Sequence, residues 1–122
     1  MVNTELYTVR GKTTRFTKYD SLTEIQAFME EKGYFHDGTV ECMSHDAECT
    51  AVAFKHYNDP EHTIQRLIFT GNVVLKLSLD LVIRSIYEIV FEGTERVTVF
   101  FDGTGIEVQA DQVVLQIQKL ID

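Results

Sequence analysis

"FHDGTVECMSHDAEC", residues 35–49, sets two readings of the chain against each other. It carries two His-Asp pairs, His36-Asp37 and His45-Asp46, and two cysteines, Cys42 and Cys49. Gathered at one point, these side chains would make a metal or proton-transfer centre. Spread along a strand, they would mark its two ends. Val40 and Cys42 alternate with polar neighbours, and the next stretch alternates again through Val52 and Phe54. Period two is the mark of a strand with one buried face. With a strand at 39–43, a turn at 44–48 and a return at 49–56, five extended residues span about 17 Å. Metal–ligand bonds are near 2 Å, so the two pairs cannot share an ion. A pooled zinc site of His36, Cys42, His45 and Cys49 would need a compact knuckle, which the alternation opposes. The hairpin reading therefore decides the fold.

That hairpin also predicts a register. With the turn centred on Asp46, His36 faces His56, Asp37 faces Lys55, Val40 faces Val52 and Cys42 faces Thr50. A slip of one residue would set Cys42 opposite Cys49, in reach of a disulfide; a reduced thiol packing as a small apolar side chain is the other reading. The loop after His56 brings Tyr57, Asp59, Glu61 and His62 to the same end. His36, Asp37, His56, Tyr57, Asp59 and His62 are thus the candidate ligand-binding residues. Turn chemistry explains most of them equally well: in Asp37-Gly38 the carboxylate accepts a backbone N–H and the glycine supplies positive φ, Asp46 caps the second turn, and Asp59-Pro60 opens another.

Working outward, "SLTEIQAFMEEKG" is a helix from Ser21 to Lys32. Ser21 and Glu24 form a capping box, Leu22, Ile25, Phe28 and Met29 an apolar stripe, and Gly33 a left-handed stop. Before it, Leu6–Arg10 and Thr14–Lys18 read as a hairpin. Arg10, Lys12, Arg15 and Lys18 stand there with no acid between Glu5 and Asp20, as charges that protect a sheet edge or as a site for phosphate or an acidic partner. After the helix, alternation returns at Leu67/Phe69, Tyr87/Ile89/Phe91, Val97/Val99/Phe101, Ile106/Val108/Ala110 and Val113/Leu115/Ile117. "NDPEHT", "EGTE" and "DGTG" supply the reversals. Residues 72–86 fit a strand through Leu75, Leu77, Leu79, Leu81 and Ile83, or a helix through Leu79, Val82, Ile83, Ile86 and Tyr87; β-branched content favours the strand. The expected fold is one α+β domain over 1–122: a curved antiparallel sheet of seven to nine strands, as a sandwich or half-barrel, with one helix. Its expected core is Val40, Val52, Phe54, Leu67, Phe69, Ile89, Phe91, Val97, Val99, Phe101, Ile106, Val108 and Leu115, joined by Leu22, Ile25 and Met29.

At 122 residues the chain is long enough to bury a core without disulfide or metal. Its net charge of −8 argues against nucleic acid as partner. No cationic start precedes an apolar run, and the most apolar segment is broken by Lys76, Asp80, Arg84 and Glu88, which together point to a cytoplasmic protein with reduced thiols and no membrane span. "RGKTT" lacks the first glycine of a phosphate loop, and no G-x-S-x-G, dinucleotide fingerprint or H-E-x-x-H occurs. The His-Asp pairs lie outside the helix, unlike those of the helical HD phosphohydrolases. No cofactor, metal or catalytic residue is expected.

"GYFHDGTVECMS…TAVAFKHY…IQRLIFTGNV" resembles a pattern shared by small, mostly uncharacterised bacterial β-rich domains: an aromatic-His-Asp-small start, an alternating strand, a returning strand, then an apolar strand ending near F-x-G. It covers Tyr34 to about Val74. Some relatives of this kind are predicted immunity proteins of polymorphic toxin systems. The resemblance implies a binding protein rather than an enzyme and carries over no catalytic residue. The leading expectation is a non-enzymatic interaction module, monomer or homodimer, whose acidic surface meets a basic protein. The alternative is a small-molecule or divalent-metal site at the His36/His56 end.

Overall fold

The computed structural model describes residues 2–78, 85–93 and 95–121. Among them, one helix and ten strands form two antiparallel sheets. The strands are β1 (Val2–Val9), β2 (Lys12–Tyr19), β3 (Thr39–His45), β4 (Cys49–Lys55), β5 (Ile64–Thr70), β6 (Val74–Leu77), β7 (Glu88–Glu92), β8 (Val97–Asp102), β9 (Ile106–Ala110) and β10 (Gln112–Leu120). The larger sheet runs β1-β2-β10-β5-β4-β3 and the smaller β6-β9-β8-β7. Ten strands exceed the seven to nine expected, because 74–77 settles as a strand of its own. Residues 79–84, where the strand and helix readings of 72–86 diverge most, lie outside the described residues, as does Thr94 in the "EGTE" turn.

The helix α1 (Leu22–Glu31) starts and stops where its sequence says. Ser21 accepts the Glu24 N–H through its side chain, and Gly33 takes φ +63° just beyond the Lys32 cap, a conformation that costs a side-chain-bearing residue about 1 kcal/mol or more. The first hairpin is tighter than its sequence suggests: Arg10 and Gly11 alone make the turn, both at positive φ, which matches the twist of the flanking strands.

The core lies between the sheets. Val52, Phe54, Leu67, Phe69 and Leu115 from the larger sheet meet Ile89, Val99, Phe101 and Val108 from the smaller, and α1 adds Ile25 and Met29, all fully buried. The Phe54 and Phe101 rings meet edge-on at 5.8 Å, an aromatic joint between the sheets. Alternation identified these positions because each strand hides one face. Leu22, Phe91 and Ile106 are only half-buried at the rim. Two large side chains absent from the expected core are fully buried, Phe35 and Ile86.

The β3–β4 register departs from the expected one. Thr39 faces Lys55 and Val40 faces Phe54; a bulge at Glu41 then shifts the pairing, so that Cys42 faces Ala53, Met43 faces Val52 and His45 faces Thr50. The strand runs on through His45, leaving a shorter turn that moves every partner. Cys42 therefore opposes neither Thr50 nor Cys49. Both thiols are free, and Cys42 is exposed rather than packed inside. No described helix is long and apolar enough to cross a membrane.

Candidate functional site

Among the described residues, the segment between α1 and β3 holds the densest run of positive φ. Gly33, Tyr34, Phe35 and Asp37 all lie at positive φ, between 54° and 65°. Non-glycine residues pay roughly 1–2 kcal/mol each to sit there, so the surroundings must hold them. Phe35 supplies the anchor. Its ring meets Phe54 edge-on at 4.7 Å, His56 at 5.6 Å and Phe28 at 6.1 Å. Backbone bonds complete the clamp: Asp37 N–H donates to Ile86 O, Ile86 N–H to Gly38 O and Gly38 N–H to Phe35 O, all between 2.8 and 2.9 Å.

Gly38 serves a different purpose from the one its sequence suggests. It is Asp37, at φ +65°, that takes the left-handed position. Glycine is required next to it for close approach, since a Cβ there would stand 2.5 Å from Lys55 O and 2.9 Å from Phe35 O. The Asp37 carboxylate caps no backbone N–H among the described residues; it lies 3.6 Å from His36 Nε2, a contact that is an ion pair only when the ring is protonated.

The six candidate residues are distributed along this end rather than focused on one point. His36 donates from Nδ1 to Tyr87 O at 2.5 Å and meets the Tyr87 ring edge-on. His56 does not face His36. Its Nε2 lies 3.1 Å from Lys32 O at the end of α1, and its Nδ1 accepts the Asn58 N–H. Those two bonds select the tautomer with the proton on Nε2. Tyr57 stacks on His56. Asp59 is turn chemistry: Oδ1 accepts Glu61 N–H, and Oδ2 accepts both the N–H and the hydroxyl of Thr63. Burial raises the Asp59 carboxyl, but the Thr63 and Glu61 bonds outweigh it and hold the group below its usual range. His62 occupies the same turn at φ +53°, its N–H on Asp59 O. Asp46 behaves as expected, accepting from Glu48 and Cys49 N–H, and the Glu48 bond first, then the Cys49 bond, lower its carboxyl. Among the described residues no three His, Cys, Asp or Glu side chains gather as a metal would require.

What this end does assemble is an aromatic surface. Tyr34, Tyr57 and Tyr87 are 41%, 67% and 63% exposed, around the left-handed segment, where the Asp37 carboxylate lies beside His36 and His36 meets Tyr87. Tyr34 also borders a depression of about 370 Å³ against β7, with Gln26, Met29 and Glu88. A second depression, of about 400 Å³, lies beside His56 and is walled by Lys32, Phe35, Asp59, Thr63 and Gln65. Sequence reasoning missed Tyr34, Phe35 and Tyr87. Alternation had grouped Tyr87 with Ile89 and Phe91 in one strand, but it precedes β7 and is exposed. The aromatic pair ahead of His36, following directly on a helix stop, was the signal for the other two. Comparison with protein-family models, curated proteins and solved structures gives no match.

Proposed function

We propose that this chain is a non-enzymatic protein-interaction module, immunity-like in kind, which engages a basic protein through the tyrosine–histidine surface around Gly33–Asp37. The observation that supports this most is the left-handed run itself. Backbone strain is kept where the surroundings over-determine it, and such places cluster at functional sites; here it presents Tyr34 and His36 while Phe35 is pinned below. Tyrosine gives large, rigid contact area at small entropic cost and is enriched among interface hot spots. A lysine or arginine arriving on the partner would find ring faces for cation–π contact and the Asp37 carboxylate for charge. The chain's net charge of −8 would speed the encounter.

The test is co-purification from the native host with tagged wild type and a Tyr34→Ala/Tyr87→Ala double variant. A basic protein retained at physiological salt by the wild type, and lost by the folded variant, is the expected result. The same retained proteins for both would refute the reading.

A small-molecule site is favoured by one observation. Gln65 is 1% exposed, and its Nε2 donates to Thr63 Oγ1, whose own proton goes to Asp59. That chain fixes the amide orientation and leaves Oε1 without a hydrogen-bond partner, beside the depression at His56. A donor-bearing small ligand would satisfy it. Thermal-shift screening of amines and amino acids, with Gln65→Leu as control, separates the readings: a stabilising ligand that Gln65→Leu abolishes would favour this one.

A further inference from the structure

We infer that β1 is a self-pairing edge, and that two copies of this chain join there into one continuous sheet. The inference is independent of the partner proposed above and concerns the opposite edge of the larger sheet, where β1 is the terminal strand.

β1 buries almost nothing. Residues 3–9 are all exposed, including Leu6 at 61% and Val9 at 68%. Side chains alternate, so Leu6 stands on one face and Tyr7 and Val9 on the other. An ordinary edge strand guards itself with lysine, proline, a bulge or short length. β1 is eight residues long, VNTELYTV, with Glu5 its only charge, and it pairs with β2 without a register shift. The basic residues that should protect this edge stand instead on β2 and in the turn: Lys12, Arg15 and Lys18 lie one strand in, and Arg10 lies at the tip. Where the sequence suggested a charged edge, the structure presents an unguarded one.

The turn fixes which backbone groups are available. In a two-residue hairpin the flanking residues, Val9 and Lys12, form a hydrogen-bonded pair. Tyr7, Glu5 and Asn3 follow in the same phase, so Thr8, Leu6 and Thr4 turn their N–H and C=O outward. A second copy laid antiparallel about a two-fold axis at Leu6 would use all of them. Leu6 would face the other Leu6, and each Thr4 would face the other copy's Thr8, for about six main-chain hydrogen bonds.

The side chains match in the same register. Glu5 would face Tyr7 of the other copy, and within one chain the Tyr7 hydroxyl already donates to Glu5 at 2.7 Å, so the same bond can form across the axis. Leucine meets leucine and threonine meets threonine. No like charges oppose each other. The basic residues of the two β2 strands stay about 14 Å apart, three strand spacings, beyond the screening length at physiological salt.

Analytical ultracentrifugation of the full chain from micromolar to millimolar concentration tests this. The expected result is a reversible transition from one chain to two. Leu6→Lys sets two lysines against each other on the axis and should weaken association at least tenfold. Leu120→Lys, at a comparably exposed leucine on β10, should leave it unchanged. Amide exchange at Thr4, Leu6 and Thr8 should slow as concentration rises, a readout that needs no substitution. A single chain at every concentration, a dimer indifferent to Leu6→Lys, or exchange independent of concentration would each overturn the inference.

Discussion

Replacing Phe35 with alanine tests the account of the left-handed segment most sharply. The ring is fully buried and touches Phe54, His56 and Phe28. Removing a buried phenylalanine costs about 3–5 kcal/mol, with the higher values where the site cannot collapse. Collapse is hindered here, because residues 37 and 38 are tied to Ile86 on either side. Taking about 4 kcal/mol and a urea m-value of about 2 kcal/mol/M, the midpoint should fall by about 2 M. Phe35→Leu keeps most of the volume and should lose about 1–1.5 kcal/mol. A further comparison isolates the backbone. Glycine ordinarily stabilises a fold less than alanine, by about 0.5–1 kcal/mol, but at φ +57° alanine carries strain that glycine escapes, about 1–2 kcal/mol. Phe35→Gly should therefore unfold at the same urea concentration as Phe35→Ala or a higher one. A midpoint loss below about 0.5 M for Phe35→Ala, or a glycine variant clearly weaker than the alanine one, would refute the anchor and the strain respectively.

Gly38→Ala should destabilise by about 2 kcal/mol or more in the same assay, because the new Cβ meets backbone at 2.5 Å rather than a movable side chain. Asp59→Ala removes three accepted bonds and should cost about 1–2 kcal/mol at pH 7. Since the folded carboxyl is held below its unfolded value of about 3.9, the stabilisation is complete above that value and disappears as pH falls through the folded pKa, so thermal melts of wild type and variant should differ at neutral pH and converge as the pH is taken progressively below about 4. Thiol titration of the folded protein should modify exposed Cys42 at the rate of a free thiol and half-buried Cys49 more slowly, with two thiols counted in denaturant; fewer than two would restore the disulfide.

What could be read from the sequence follows from the range of the interactions involved. Val52, Phe54, Leu67, Phe69, Val99, Phe101 and Val108 were legible because a strand's period is fixed by local geometry. α1 was legible because Ser21 and Gly33 act on neighbours within a few residues. The register of β3 against β4 was not, since it depends on β3 running on through His45 and on a bulge at Glu41, neither of which a local pattern announces. Nor was the burial of Phe35, which is decided by Phe54 and His56 some 20 positions away. The candidate site shows the same division. Asp46 and Asp59 cap turns as their sequence suggested, through contacts two to four residues long. His36 and His56 were placed opposite each other by a register that the later, shorter turn displaced, and each ring binds a carbonyl on a different element.

The two proposals occupy opposite edges of one sheet, and that arrangement has consequences. β1 and β3 are the terminal strands of the six-stranded sheet, about five spacings or 24 Å apart. The tyrosine surface adjoins the start of β3, so pairing through β1 covers none of it. A two-fold dimer would hold two such surfaces at its outer ends, on a frame whose separation is set by strand spacing rather than by a linker. Two sites on a rigid frame bind a partner with matching repeats far more tightly than one site does, and a single-copy partner no differently. The unguarded edge and the strained aromatic segment are therefore separable in their effects. On the two proposals, the first would change how many surfaces a molecule carries, and the second would determine what each surface holds.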